Sequence, residues 1–343
     1  METKQKVEIG NKLLNWYKDN GRELPFRLTK DPYKIWICEI VFQQTRIEQG
    51  LQHYVRFVDR FPTVESLAFA DTDEVMLYWK GLGYYSRALN LHFAANQIMK
   101  DFQGEFPTTY SEIIKLKGVG KYTAAAVASI CFDEELPAVD GNFYRVLSRL
   151  FADSFDISKS TAFDYFSSLA LEILPSNKAG AFNQAMMDLG SEVCKPKNPL
   201  CGECPLQHDC LAFQMGEISE FPVKIKKTKV EDLTLEYFFI FHGKHFLVKQ
   251  RGDDFIWKKL FDFPEFLADS ENYFISSEVI ISHKLSHKNL SIRVSKVELE
   301  SLFALQTYAQ TNNFLVFDEE DFERKSFPKP LENYISQYFK DKI

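Results

Sequence analysis

At 343 residues the chain is long for a single average domain and predicts two. Its 45% apolar and 26% charged residues allow a buried core and exclude a disordered composition. The polar start METKQKVEIG has no apolar signal region, and no run approaches the roughly 18 apolar residues of a membrane span, so a cytoplasmic protein is expected.

The net charge of −7 sets a second bound. Nucleic-acid binders are usually read from a basic excess, so any contact with DNA or RNA must rest on local patches and backbone amides. Charge alone favours an ordinary cytosolic protein.

Up to about residue 215 the apolar residues recur at helical spacing. Trp36–Gln49, Thr72–Trp79, Ser86–Met99 and Thr123–Phe132 are each predicted as helix, separated by short turns holding Gly or Pro. Within the first of these, Glu39 stands among Ile35, Trp36, Ile37, Cys38, Ile40, Val41 and Phe42. It is either a surface carboxylate on the one wet face or a carboxyl whose pKa is raised by apolar neighbours. The second state suits a proton donor near neutrality.

Farther along, Leu116-Lys117-Gly118-Val119-Gly120-Lys121 lies between two helical segments. Two glycines two apart allow a tight turn whose amides face an anion at the start of the next helix. Alone, such a G-x-G is more often a plain turn. Twenty residues on comes Pro137-Ala138-Val139-Asp140-Gly141-Asn142, with Asp140 placed to N-cap a helix over Asn142–Phe151.

Four of the six cysteines follow within seventeen residues, Cys194, Cys201, Cys204 and Cys210, spaced C-x6-C-x2-C-x5-C. Without an export signal, disulfides are not expected. A structural zinc site usually brings two close pairs and this loop has one, whereas four thiolates in one compact loop suit an iron–sulfur cluster. Zinc stays open on spacing alone. His208 reads as a surface residue, and Cys38 and Cys131 as core packing.

Residues 216–231 form a lysine-rich connector, with Lys224, Lys226, Lys227 and Lys229 and no acid between 221 and 230. Beyond it the texture changes. Leu235–Phe241 and His245–Val248 are aromatic and β-branched runs around His242-Gly243-Lys244, a predicted β-hairpin. The parse is an all-α domain over 1–215, a linker over 216–231 and a smaller β-rich domain over 232–343.

The hairpin, the VDGN segment and the cysteine loop together resemble the endonuclease III superfamily of helix-hairpin-helix DNA glycosylases. Several strings are similar to its MutY-type adenine glycosylases: Asp31-Pro32-Tyr33, Glu39 with Gln43-Gln44-Thr45, Gly81-Leu82-Gly83-Tyr84-Tyr85, and Phe182-Asn183-Gln184-Ala185-Met186-Met187-Asp188-Leu189-Gly190. The likeness runs from about residue 13 to 212 and continues more weakly through the C-terminal domain. It implies an all-α glycosylase domain with a 4Fe-4S cluster held by the four cysteines, then an α+β, Nudix-like domain. It also implies base excision repair of adenine mispaired with 8-oxoguanine or guanine in duplex DNA, by a monomer associated with the nucleoid.

Residue by residue, the resemblance implies that Glu39 protonates adenine, that Asp140 stabilises the sugar cation and that Asn142 supports Asp140. Bifunctional relatives carry a Schiff-base lysine just after the hairpin. Here Tyr122 takes that position, which implies a monofunctional enzyme. Arg22, Phe26 and Arg27 match adenine-pocket positions, with Phe26 in place of the usual Trp. Gln43, Gln44, Thr45 and Tyr84 match DNA-contacting positions, Gln44 and Tyr84 filling the gap and wedging the stack when the base is flipped out. Gly118, Val119, Gly120 and Lys121 match the phosphate-binding hairpin. The family's Phe-Ser-His loop for 8-oxoguanine reads Leu285-Ser286-His287, losing the aromatic ring. No E-x7-R-E-x2-E-E string follows Gly252, which excludes a Nudix-type pyrophosphohydrolase. The rivals are a bifunctional pyrimidine-lesion glycosylase and a catalytically inert lesion-binding or redox-sensing protein.

Overall fold

The computed structural model describes residues 3–225, 229–253, 256–268 and 273–341. Lys226, Lys227 and Thr228 of the basic linker lie outside the described residues. No helix among the described residues is long and apolar enough to cross a membrane. By internal packing the chain divides into two compact units, one of Met1–Ala68 with Phe93–Lys227 and one of Phe69–His92 with Thr228–Ile343.

The first unit is helical. One of its cores joins Ile9 and Leu13 of the helix Thr3–Asn20 to Phe143, Val146, Leu147 and Leu150 of Gly141–Phe151 and to Phe182 and Met186 of Ala179–Asp188. The helix Lys121–Phe132 is lined by Ala124, Ala125, Ala126 and Ala128, all at most 2% exposed. Such small side chains let other helices approach closely. Gly180 shows how closely: a methyl group there would meet the Ser129 carbonyl oxygen at 2.9 Å.

The expected helix Trp36–Gln49 is two helices, Pro32–Val41 and Ile47–Arg60. The break falls on the polar string Gln43-Gln44-Thr45, where Gln44 takes a left-handed φ of 55°. Gln is an ordinary helix former, and helical spacing continues on both sides of the break, so neither propensity nor periodicity reveals it.

In the second unit six strands form one mixed sheet: β1 (Glu231–His242), β2 (His245–Gln250), β3 (Phe261–Asp262), β4 (Ile275–Lys284), β5 (Lys288–Glu298) and β6 (Leu315–Phe317). The order is β3-β2-β1-β5-β4, with β6 on β2. β1 and β2 form the expected hairpin, Gly243 supplying a φ of 56° at the turn. β1 and β5 are parallel, from Glu231 opposite Lys288 to Phe241 opposite Glu298. Side chains alternate between faces. Tyr237, Phe239 and Phe241 pack with Ile335, Tyr338 and Phe339 of the helix Lys329–Lys340, while Ile240, Leu247 and Val297 pack with Leu305 and Tyr308 of Leu302–Asn312.

The segment Phe69–His92, helical as expected, packs within this second unit although the sequence counts it with the helical domain. Polar contacts fasten it there: Lys325 Nζ to Asp73 Oδ2 at 2.6 Å, Gln250 Nε2 to Asp73 Oδ1 at 2.9 Å, and Lys80 Nζ to Glu332 Oε1 at 3.4 Å.

Candidate active site and iron–sulfur loop

A cavity of about 500 Å³ opens in the helical unit, within the size range of small-molecule sites. Around it stand Arg22, Phe26, Arg27, Glu39, Thr45, Tyr122, Asp140 and Asn142, drawn from four separate stretches of chain. Gln43 and Gln44 are not in its wall. Gln43 Nε2 donates to Thr123 Oγ1 at 3.3 Å, and Gln44 is exposed on the turn.

The apolar helix Pro32–Val41 carries Glu39 to the cavity. Burial raises its pKa to about 7; the Tyr122 hydroxyl, donating to Oε2 at 2.7 Å, lowers it, and the charge of Asp140 raises it. A carboxyl with that pKa keeps a proton available at neutral pH. Tyr122 is also close to Met187, its hydroxyl 3.6 Å from Sδ.

Asp140 caps the helix Gly141–Phe151. Its Oδ1 accepts from the amides of Asn142 at 2.8 Å and Phe143 at 2.9 Å, and Asn142 Nδ2 donates to Oδ2 at 2.8 Å. Burial outweighs the rest and raises this carboxyl's pKa above its ordinary value; those three bonds, together with Arg145, limit the rise. The helix N-terminus supplies the donors that favour a carboxylate at Asp140, which also faces the cavity.

Asn142 is braced from behind by Arg145, whose Nη2 donates to Asn142 Oδ1 at 2.8 Å and to the Gly190 carbonyl at 2.7 Å. Gly190 sits in a π-helical turn, Leu189–Val193, that continues Ala179–Asp188. A methyl group at Gly190 would come within 2.5 Å of Asn142 Cβ. Only glycine fits.

Arg22 and Arg27 converge on Asp188, which is fully buried. Arg27 makes a two-pronged pair with it at 2.6 and 2.7 Å, and Arg22 donates through Nε and Nη2 at 2.8 and 2.5 Å. Burial alone would raise the Asp188 pKa; the arginine hydrogen bonds outweigh it and the pKa is lowered. Phe26 packs on Phe42 and Tyr54, ring centroids 5.0 and 5.7 Å apart. Sequence reasoning passed over Asp188, Gly190 and Arg145. The available signal was an acid followed by Leu-Gly at the end of an otherwise apolar helix.

At the hairpin, Gly118 has a φ of 77°, the left-handed region that favours glycine. Gly120 N-caps Lys121–Phe132 with no side-chain cap bond, and a methyl group there would meet nothing within 4 Å. Val119 is buried against the unit, 9% exposed. Lys121 pairs with Asp164 at 2.6 Å on the surface.

The four cysteines Cys194, Cys201, Cys204 and Cys210 line one small cavity with Val193, Phe213 and Ile218, and none is in a disulfide. Among the described residues no three His, Cys, Asp or Glu side chains form a group able to hold a single metal ion. The donor set nevertheless fits a cluster. Burial pushes the thiols of Cys201, Cys204 and Cys210 up, Cys204 to about 12, and each lies in the field of Cys194. Thiols held up in this way become thiolates on binding a metal group, and four cysteines in one compact loop suit an iron–sulfur cluster. Arg149 completes the wall, its Nη1 donating to Cys194 Sγ at 3.4 Å and to the Lys195 carbonyl at 2.8 Å.

In the second unit, Leu285-Ser286-His287 is the turn between β4 and β5. Leu285 is half-buried against the core, while Ser286 and His287 are exposed. The hydroxyl of Tyr84 is hydrogen-bonded to that of Ser286.

Residues 37–169 match the HhH-GPD superfamily base excision DNA repair protein family, and residues 194–210 match the iron–sulfur binding domain of endonuclease III. The cysteine loop is thus an iron–sulfur site, and the zinc alternative falls. An adenine DNA glycosylase of Buchnera aphidicola is 33% identical over 336 residues, 94% of this chain and 96% of the relative. One of Rattus norvegicus is 39% identical over 222 residues, 61% of this chain and 43% of the relative. A thermostable thymine-DNA glycosylase structure superposes with a TM-score of 0.57 at 28% identity, over 62% of this chain and 99% of that one. With a near full-length relative above 30% identity, and a helical glycosylase unit joined to an iron–sulfur loop, the chain belongs to the adenine DNA glycosylase family.

Proposed function

We propose that the protein acts as a monomer on duplex DNA, hydrolyses the N-glycosidic bond of adenine mispaired with 8-oxoguanine or guanine, and leaves the strand uncut. The observation that carries this reading is one cavity holding two carboxyls with different tasks, beside a tyrosine rather than an amine.

Glu39, with its pKa near 7, gives its proton to N7 of a flipped-out adenine. The C1′–N9 bond then breaks, its electron pair staying on N9, and neutral adenine leaves. Positive charge develops on C1′ and the ring oxygen of the sugar, where Asp140 offsets it; the bonds from Asn142 and Phe143 favour the carboxylate form this needs. A water oxygen adds to C1′, and its proton passes to a carboxylate. Two carboxyls flanking a sugar carbon serve glycosidases in the same way. Tyr122 cannot form a Schiff base, so no strand-cleaving step follows. Phe26 forms an apolar wall for the base, while Arg22 and Arg27, held by Asp188, shape the polar side of the pocket. When bound, the cluster cross-links the loop through Cys194, Cys201, Cys204 and Cys210.

In the hairpin from Gly118 to Lys121, the backbone amides of Gly118, Gly120 and Lys121 hold a phosphate, a contact that needs no positive net charge, while the Val119 amide is bonded to the Leu116 carbonyl at 3.1 Å. Gln44, with Gln43 and Thr45 beside it, fills the gap the adenine leaves, and Tyr84 wedges the stack. The C-terminal domain, residues 232–343, reads the partner base. Ser286 and His287 present exposed hydrogen-bonding groups, and Leu285 serves the core more than the DNA.

The test is single-turnover adenine release from duplexes with adenine opposite 8-oxoguanine or guanine. Replacing Ser286 and His287 with Ala should slow excision opposite 8-oxoguanine roughly ten- to a hundredfold, the equivalent of about 1–3 kcal/mol of lost contact, with a smaller change opposite guanine. An unchanged ratio removes lesion reading from this loop. Absence of adenine release from both duplexes removes the reading as a whole.

A further inference from the structure

Tyr84 occupies a backbone position unusual for its type. Its φ is 48°, between Gly83 at 70° and a helix start at Ser86, and Gly81 before it stands at 97°. Bulky residues seldom adopt the left-handed region, so surrounding groups must hold the turn in place. The ring is 50% exposed.

Arg87, in the first turn of the helix Ser86–Asp101, reaches back under this turn. Its Nη2 donates to the carbonyls of both Leu82 and Gly83 at 3.2 Å. Its guanidinium lies over the ring of the buried Trp79 at 5.1 Å and the ring of Tyr84 at 5.7 Å. Trp79 Nε1 donates to the Gly83 carbonyl at 3.1 Å, and the Arg87 amide donates to the Tyr84 carbonyl at 2.9 Å. Burial draws the Arg87 pKa down to about 10, which leaves it charged at neutral pH. A planar cation can bridge two carbonyls and stack on two rings at once; a lysine offers a point charge with neither property.

We propose that Arg87 is a positioning residue that locks the Tyr84 ring, so that the wedge and the Ser286 turn bonded to its hydroxyl work as one rigid reader of the mispair. The inference rests on the reading of Tyr84 as the wedge. Arg87 is not among the residues that line the catalytic cavity. Its loss leaves the acid–base groups intact and lowers the fraction of encounters in which the stack is opened.

The experiment compares Arg87→Leu, Arg87→Lys, Tyr84→Leu and the double variant Arg87→Leu/Tyr84→Leu in the full, iron-loaded chain. The readouts are the single-turnover excision rate and the fluorescence of a 2-aminopurine placed in the duplex beside the mispair, which reports unstacking. Arg87→Leu should lose most of the fluorescence rise and slow excision roughly ten- to a hundredfold, the scale of a misplaced positioning group. Arg87→Lys should fall between it and the parent, and the pH dependence of excision should not move. In the Tyr84→Leu background, Arg87→Leu should cost nothing further. If Tyr84→Leu matches the parent in both readouts, the wedge reading fails and takes this inference with it. If Tyr84→Leu is impaired while Arg87→Leu matches the parent, or if the two losses multiply, Arg87 has no positioning role and the wedge reading stands. Should Arg87→Leu not fold, Arg87→Lys decides: a fluorescence rise equal to the parent's overturns the proposal.

Discussion

The hydroxyl of Tyr122 donates to Glu39 Oε2 at 2.7 Å, across 83 residues of sequence. This bond opposes the effect of burial, because a donor to the carboxylate favours the ionised form. Without it the Glu39 pKa would lie higher still. Tyr122 therefore puts a hydroxyl rather than an amine in the cavity and also limits the rise of the Glu39 pKa.

Glu39→Gln should bind mispaired duplex nearly as well as the parent while its single-turnover excision falls by orders of magnitude, about 10²–10⁴-fold for a lost general acid. In the parent, excision should fall as pH rises through about 7, where Glu39 loses its proton. The same group bears on stability. Its pKa rises from the ordinary 4.5 to about 7 on folding. The unfolded chain thus releases the proton first, and stability is lost as pH climbs from about 4.5 to 7, by roughly 3 kcal/mol if the whole shift is realised. Thermal melts should show Glu39→Gln gaining on the parent at pH 8 and not at pH 4. Near-parent excision by the variant would remove Glu39 as the acid.

Tyr122→Lys should acquire a borohydride-trappable DNA adduct and some strand cleavage, since it restores an amine where bifunctional relatives carry one. The parent should show little of either. Strong trapping by the parent that survives replacement of nearby lysines would favour the bifunctional rival.

Gly190→Ala should be damaging out of proportion to one methyl group. The added carbon must displace Asn142, which now lies 2.5 Å from where it would sit. The bond from Asn142 to Asp140 and the Arg145 brace move with it. Overpacking of this kind costs about 1–3 kcal/mol. Melting temperature and excision rate should both fall, the rate by at least as much as in Asn142→Ala. An excision rate equal to the parent's would show that Asn142 does not support Asp140.

Anaerobically purified protein should absorb broadly in the visible and contain about four irons per chain, the content of a cubane held by four cysteines. Cys201→Ser should lower that content and expose the loop between Cys194 and Cys210 to protease. Stoichiometric zinc with no iron in the parent would refute the assignment of the loop.

The sequence by itself determined what depends on local spacing. The cysteine loop, the Asp140 cap, the hairpin after Leu116 and the β1–β2 turn are each set within a few residues, and their chemistry is written in residue types at short intervals. It also marked Glu39, because an acid in an apolar helix is conspicuous. Only the tertiary structure decided where that acid points and what meets it. Asp188 lies 161 residues from Arg27 and 166 from Arg22, and nothing local says that one buried carboxylate holds both guanidinium groups. The need for glycine at position 190 arises from Asn142 on another helix. Leu285 reads as a weakened lesion contact, and only the fold shows that it also packs partly against the core. The helices of Phe69–His92 look like part of the N-terminal domain until Asp73 and Lys80 find Lys325 and Glu332 more than 250 residues away. Periodicity records which face of an element is buried. It does not record against what, because packing partners are chosen by shape and charge across the whole chain.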